Sequence, residues 1–191
     1  MTIPEPKLIG YFARPTARRK DWPHAEVVEE ICNASTCMSA CDWDWINEWR
    51  HNEMWVFDSP ELALEVVPVE RRPGCDLYAY RLFPVRFVES RREPFAIPDV
   101  APASLDATFE RLGYDLVSRS QDNKFECSPI SCNGLAADVP VNRHCLLDDA
   151  ESAFALAETL EVAGQPMRGE PGPYFVVEVW RQLVPRTTAI T

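Results

Sequence analysis

The segment Tyr174–Trp180 (YFVVEVW) is apolar at every position except Glu178, and it constrains the fold more than any other part of the sequence. A strand that is apolar on both faces has to be covered on both sides, so we expect it inside a sheet. A second segment, Leu77–Phe87, is rich in aromatic residues and predicts another strand. Because Pro84 has no N–H to donate, that strand needs an edge position or a bulge there. A shorter strand is predicted at Leu8–Phe12.

Helix start signals occur at several points along the chain. Ser59 followed by Pro60 is typical of a capped first turn. A tryptophan-rich segment begins at Asp42, a plausible capping residue, and its indole rings share one face at helical spacing. We predict helices over residues 61–67, 149–163 and 42–52, and shorter ones over 24–32 and 105–112, the last capped by Ser104 and ended by Gly113.

Strands and helices are interspersed without the regular order of βαβ units. We therefore predict an α+β fold, a single domain over residues 1–191 with a mixed or antiparallel sheet and helices packed on one or both faces. The tail from about residue 185 is expected to be frayed. No repeat is apparent at any period. Further strands are predicted at 114–118, 124–127 and 143–147, with an ordered loop over 128–142.

The charge of the chain argues against a nucleic-acid binder. The sequence has 30 acidic residues against 19 Lys and Arg, which gives a formal net charge of −11. Phosphate backbones attract basic surfaces and repel acidic ones. No segment approaches the roughly 20 apolar residues that a membrane-spanning helix needs. We therefore expect neither a nucleic-acid partner nor a membrane partner.

The cysteines indicate a reducing compartment. There are seven, and an odd number without an export signal is typical of reduced thiols in the cytoplasm. The apolar run at residues 8–12 is too short for a signal peptide, and basic residues follow it where they should precede it. The predicted localisation is cytoplasmic.

Cofactor motifs are absent from the sequence. There is no P-loop, no dinucleotide-binding fingerprint and no nucleophile elbow, and the chain has only seven glycines. We therefore expect no cofactor.

One group of residues has the donor types of a zinc site. Cys32, Cys37 and Cys41 are followed by His51, all of which Zn²⁺ accepts. The spacing fits only the looser limit of a zinc knuckle, and Cys32 ends a different predicted helix. We favour buried thiols and no metal, with a zinc-bearing adaptor as the alternative.

Four residues are weak candidates for catalysis. Cys127 and Cys132 lie within reach of His144 across a loop, and a catalytic thiol needs such a base. Glu178 is an acid on a strand expected to be buried, where its pKa would rise. The simpler interpretations are buried cysteines near a strand, and an ion pair between Glu178 and an arginine such as Arg81 or Arg86.

Acidic residues interleaved with indole rings form the most unusual pattern in the chain. Asp44, Glu48 and His51 share the wet face of the tryptophan-rich helix, and Trp55 falls outside its apolar stripe. Aromatic anchors ringed by charge are typical of protein interfaces.

The sequence therefore predicts a small acidic cytoplasmic module that binds a basic protein, by analogy with immunity proteins and antitoxins that neutralise cationic nucleases. The alternative is an enzyme, for example a transferase, that uses Glu178 or the region of Cys127, Cys132, His144 and Cys145. A deep pocket at these residues favours the enzyme, whereas a convex acidic surface favours the binding module.

Overall fold

The computed structural model describes residues 2–17, 25–35, 50–88, 91–99, 105, 107–119, 124–162 and 172–183. The elements in chain order are β1 (Lys7–Pro15), α1 (Pro60–Glu65), β2 (Cys75–Val88), β3 (Arg91–Pro94), β4 (Phe109–Ser118), α2 (Ala150–Val162) and β5 (Tyr174–Gln182). The predicted helix at 42–52, up to Trp49, and the predicted tail from about 185 lie outside the described residues.

The described strands form a single antiparallel sheet in the order β1-β2-β5-β4, with β3 paired to β2. As predicted from its apolar sequence, β5 is central, with β2 on one side and β4 on the other. The register between β2 and β5 shifts between Leu82 and Arg86. Pro84 lies within this irregularity, which confirms the predicted bulge.

The helices near residues 60 and 150 both begin with a side-chain cap, and the Ser59 cap is the one expected from the sequence. Ser59 Oγ accepts a hydrogen bond from the Leu62 N–H at 3.2 Å. Asp149 Oδ1 accepts one from the Ser152 N–H at 2.7 Å, which satisfies an otherwise unpaired donor of α2. Within the described part of the chain, no helix is long and apolar enough to span a membrane.

Two predicted helices are wrong. Residues 109–118 form strand β4, and Gly113 lies within it at φ +148°, where a Cβ would approach the Leu147 carbonyl oxygen to 2.6 Å. Residues 25–35 form no helix: Ile31 bridges to Ala17, and the Glu30 N–H bonds outside the segment. The β-branched residues of this segment suit extended backbone as well as they suit a helical stripe.

Two smaller strand predictions were also wrong. The predicted strand at 143–147 is a loop with a single bridge, between Leu147 and Tyr114. The predicted strand at 124–127 is likewise irregular, with an isolated bridge between Phe125 and Arg119.

The two outer strands of the path β1-β2-β5-β4 are built in the same way. β1 contains Gly10-Tyr11 and β4 contains Gly113-Tyr114, and the register of each strand shifts just before its glycine. Each tyrosine then exchanges two main-chain hydrogen bonds with a loop residue. The pairs are Tyr11 with Phe57 and Tyr114 with Leu147, with N···O distances of 2.8 and 2.9 Å in both.

The loops at 52–58 and 142–148 also match. Each begins with an asparagine, and three residues later the backbone enters the left-handed region, at Trp55 (φ 59°) and Cys145 (φ 61°). Each loop leads into a capped helix. Together with the matching strands, this indicates that the described domain consists of two halves of the same architecture.

A pseudo-two-fold axis relates the halves. Gly10 faces Tyr80 on β2, Gly113 faces Val179 on β5, and Tyr80 faces Val179, so the axis passes through this last pair. Equivalent positions include Phe12 and Asp115, Met54 and His144, Trp55 and Cys145, and Leu82 and Arg181. The two glycines are 103 residues apart but the asparagines Asn52 and Asn142 only 90, so no fixed period marks the repeat in the sequence.

Candidate functional site

Four side chains from three parts of the chain meet in one place: Glu30, Cys32, His144 and Arg181, called here the Glu30–His144 cluster. Glu30 and Cys32 flank Ile31, which forms a β-bridge with Ala17, and side chains two positions apart in extended backbone face the same side. Main-chain bonds hold that segment in place, because the Glu30 N–H donates to the Arg143 carbonyl and the Cys32 N–H to the His144 carbonyl, both at 3.1 Å. Arg181 reaches the cluster from β5.

Glu30 is the centre of the cluster. Its Oε1 lies 2.7 Å from His144 Nδ1 and accepts a hydrogen bond from Arg181 Nη1 at 2.8 Å. The bond to His144 and the charge of Arg181 hold the pKa of Glu30 at about 2, against the opposing effect of burial. Glu30 is therefore ionised at neutral pH and accepts from two partners at once.

Cys32 is fully buried behind this ion pair. Its Sγ accepts a hydrogen bond from the Tyr78 hydroxyl at 3.6 Å and lies 3.9 Å from Arg181 Nη1. Burial, reinforced by the charge of Glu30, raises the pKa of Cys32 to about 12. The thiol is therefore protonated at neutral pH and is a poor nucleophile.

The donor atoms of Glu30, Cys32 and His144 all lie within 4.8 Å of one another. Carboxylate, thiolate and imidazole are the three ligand types that zinc takes in proteins. The sequence did not predict this grouping. Cys32 was one of the proposed zinc ligands, but Cys37 and Cys41 lie outside the described residues and His51 belongs to another surface.

The fold itself does not require these polar residues. The position equivalent to His144 in the other half is Met54, and the position equivalent to Arg181 is Leu82; both are fully buried. The same loop and strand are thus built with apolar side chains in the first half. The Glu30–His144 cluster is a specialisation of one half only.

Glu178 lies in a separate network on β5. Arg81 Nη1 donates to Glu178 Oε2 at 2.9 Å, which confirms the ion pair expected from the sequence. The Trp180 indole N–H also donates to Oε2, at 3.1 Å, and the Tyr114 hydroxyl donates to Oε1, at 3.3 Å. Burial and the charge of Glu178 raise the pKa of Tyr114. Three neighbours thus hold the carboxylate in a fixed position.

His144 and the loop cysteines are not joined as a catalytic pair. The hydrogen bond of the His144 ring goes to Glu30. Cys132 Sγ instead contacts Ser35 Oγ at 3.4 Å. Cys127 is half-buried, and its carbonyl accepts a hydrogen bond from the Ser118 N–H. Cys145, in the left-handed region, is buried, which raises the pKa of its thiol to about 12.

Asp115 is a buried acid that the sequence did not single out. Ser128 Oγ donates to its Oδ1 at 2.6 Å, and the Ala34 N–H donates to its Oδ2 at 2.8 Å. Burial raises the pKa of Asp115 from 3.8 to about 7, despite these two bonds. The residue fastens two separate segments of the chain to β4. The signal was present, because Asp115 interrupts an apolar strand in the way Glu178 does.

Trp55 and His51, two of the predicted binding residues, do come together. Their rings stack with centroids 4.3 Å apart, and Lys124 Nζ lies 5.1 Å from the centroid of the Trp55 ring. Trp55 is half-buried. The other two predicted binding residues, Asp44 and Glu48, lie outside the described residues.

Three cavities formed by described residues lie away from the candidate catalytic residues. A cavity of about 10 Å³ beside Trp55 has room for a single water molecule. Two clefts of about 550 and 200 Å³ open to solvent next to Arg92 and Phe154. None of the three is lined by Glu178, His144, Cys127 or Cys132.

Carboxylates dominate the exposed surface of the described part of the chain. Its exposed basic side chains are five: Lys7, Arg71, Arg91, Arg111 and Arg143. Its exposed acidic side chains are fifteen: Glu5, Glu26, Glu29, Glu53, Asp58, Glu61, Glu65, Glu70, Asp99, Glu110, Glu126, Asp138, Asp148, Asp149 and Glu151.

No protein-family model matches the chain, and neither a curated protein nor a solved structure shows significant similarity to it.

Proposed function

We propose that this protein is an acidic binding module that engages a basic partner protein through the surface around Trp55. The observation that carries the proposal is the separation of charge between surface and interior. Of the described residues, fifteen acidic side chains are exposed, whereas four of the twelve arginines are exposed and two are buried. A surface of this kind speeds encounter with a cationic partner and repels anionic ones.

The arginines contribute to packing more than to the surface. Arg14 and Arg119 are buried: Arg14 lies over the Tyr78 ring at 5.1 Å, and Arg119 lies 4.7 Å from the Phe175 ring centroid. Arg181 is held by Glu30. The positive charges of these side chains are therefore unavailable to offset the exposed carboxylates.

Trp55 supplies the aromatic anchor that such an interface needs. A left-handed backbone costs a residue with a side chain roughly 1–2 kcal/mol, and Gly or Asn adopts it most readily. Cys145 occupies the equivalent position of the second half, so the loop does not require a tryptophan. A large ring that keeps part of its surface open to solvent at a strained position, close in sequence to the exposed Glu53 and Asp58, favours a role in recognition.

The test is affinity capture on matched baits. Trp55→Asn removes the ring and suits the backbone, and Val69→Asn removes an exposed apolar side chain elsewhere. We expect the wild type and Val69→Asn to retain the same basic protein at low salt, and Trp55→Asn to lose most of it. Equal retention by all three baits, or no retained basic protein, would overturn the proposal.

A narrower version, made by analogy, is an immunity-type protein of the cytoplasm whose partner is a cationic nuclease. Inhibition of the captured partner's nuclease activity by the wild type, and not by Trp55→Asn, would support it. A captured partner without nuclease activity would rule out the narrower version and leave the binding proposal intact.

The enzyme alternative has less support. Glu178 is held by Arg81, Trp180 and Tyr114, and the cavities described above avoid it. Cys32 and Cys145 have raised pKa values, whereas a nucleophilic thiol needs a lowered one.

A further inference from the structure

We propose that Glu30, Cys32 and His144 bind a divalent transition metal, with Zn²⁺ the best match to the donor set. The three residues supply one oxygen, one sulfur and one nitrogen, and their donor atoms lie within 4.8 Å of one another. The remaining tetrahedral position is left for water or for a group of a bound partner. This inference stands apart from the protein-binding proposal and rests on different residues.

The backbone already brings the ligands together. In a tetrahedral zinc site, neighbouring donor atoms are about 3.5 Å apart, given bonds of about 2.0–2.3 Å. The Glu30 and Cys32 side chains leave the same side of a segment that two main-chain bonds fix against residues 143 and 144. Side-chain rotations that shift the donor atoms by about an ångström therefore complete the site, and the backbone stays in place.

Metal binding rearranges the existing hydrogen bonds. The proton on His144 Nδ1 is exchanged through solvent for one on Nε2, so that Nδ1 turns from Glu30 Oε1 to the metal, while Arg181 stays on the carboxylate. Cys32 loses its thiol proton to solvent, and the thiolate accepts from the Tyr78 hydroxyl and Arg181, which already lie 3.6 and 3.9 Å from its sulfur. Such outer partners are typical of protein metal sites.

The first half of the fold provides an internal comparison. Met54 replaces His144 and Leu82 replaces Arg181 at equivalent positions, and the surrounding loop and strand keep their geometry. His144, a proposed metal ligand, and Arg181, its outer partner, are therefore additions to a loop and strand that form without them in the other half. A solely structural role would not explain why an ion pair, with its desolvation cost, occupies only one half.

Cobalt titration of the metal-free protein tests the site, because a cobalt–thiolate bond gives a charge-transfer band that carboxylates and imidazoles do not. The variants are Cys32→Ser and His144→Met, the latter copying the residue of the other half. Cys127→Ser is the control thiol, and Cys37→Ser/Cys41→Ser removes the thiols of the sequence-based zinc hypothesis. Thermal unfolding of each variant shows whether it is folded.

We expect one cobalt per chain, with a thiolate band in the wild type, in Cys127→Ser and in Cys37→Ser/Cys41→Ser. The band should be lost in Cys32→Ser, and in His144→Met the affinity should fall at least tenfold. Affinity should rise with pH, because binding releases the thiol proton. A wild type without the band, a folded Cys32→Ser that keeps it, or its loss in Cys37→Ser/Cys41→Ser would each overturn the proposal.

Discussion

Asn52 and Asn142 hold two loops of the protein by the same set of hydrogen bonds. The side-chain amide of each donates to a carbonyl of the adjacent outer strand, Ile9 or Leu112, at 2.9 Å. It also donates to a carboxylate six residues on, Asp58 at 2.9 Å or Asp148 at 3.1 Å. The amide oxygen accepts from the N–H two residues on, at 2.8 Å in one loop and 2.9 Å in the other. The two halves thus share one device that fastens a loop to an outer strand.

The first prediction concerns this device. Asn142→Ala should lower the free energy of unfolding by about 2–3 kcal/mol, because several hydrogen bonds are lost and the Leu112 carbonyl is left without its donor. Asn52→Ala should cost a similar amount. Urea denaturation measures both, with the exposed Glu70→Ala as the control. A loss below about 0.5 kcal/mol in both asparagine variants would contradict the role assigned to them.

Gly113 gives a second prediction. Gly113→Ala should destabilise the protein by about 2–4 kcal/mol, because φ is +148° and the new Cβ would lie 2.6 Å from the Leu147 oxygen. Gly74→Ala is the matched control, since nothing lies within 4 Å of a Cβ there. Thermal or chemical unfolding compares the two. Equal stability of the two variants would show that the close approach of loop and strand is not required.

Asp115 predicts a dependence of stability on pH. Its folded pKa of about 7 lies above the unfolded value of 3.8, so the folded state binds the proton more tightly. The contribution of Asp115 is therefore fully present below about pH 4 and is lost as the pH rises to about 7. Because one pKa unit is worth about 1.4 kcal/mol, the loss should be about 4 kcal/mol.

The measurement is the free energy of unfolding of the wild type and Asp115→Asn from pH 4 to about 8. The difference between them should change in favour of Asp115→Asn as the pH rises, since asparagine does not ionise. A difference that is constant with pH would contradict the raised pKa.

The Arg81–Glu178 pair predicts a contrast with an exposed pair. Glu178 is 6 % exposed, and Glu178→Gln should cost about 1.5–3 kcal/mol because a buried charged hydrogen bond to Arg81 is weakened, although Arg81 keeps the Pro6 carbonyl and the more distant Glu5. Glu93→Gln removes the partner of Arg86, a pair that is 34–44 % exposed, and should cost less than about 1 kcal/mol. Chemical denaturation of both variants is the check, and equal costs would contradict the contrast.

The sheet was partly predictable because its signals are local. The apolar run at 174–180 predicted the central strand, and Pro84 predicted the bulge opposite it. Ser59 with Pro60 predicted where α1 begins. Each of these properties follows from residues that are neighbours in the chain.

Other features depend on residues far apart in the sequence. The spacing of apolar residues at 105–112 suits a helix, but the conformation of Gly113 is set by a loop 34 residues later. His144 and Glu30 are separated by 114 positions, and no spacing rule links them. The repeat could not be predicted from the sequence, because its halves share few identical residues and have connections of different length.

The most direct measurement of the proposed function is the salt dependence of the affinity for the captured partner. Raising the salt from about 0.05 M to about 0.3 M should weaken binding by about tenfold or more, because screening removes the attraction between exposed carboxylates and a cationic surface. The variant Glu53→Lys should bind more weakly at low salt and respond less to salt. A dissociation constant that is unchanged across this range, and equal in the wild type and in Trp55→Asn, would contradict recognition through an acidic surface.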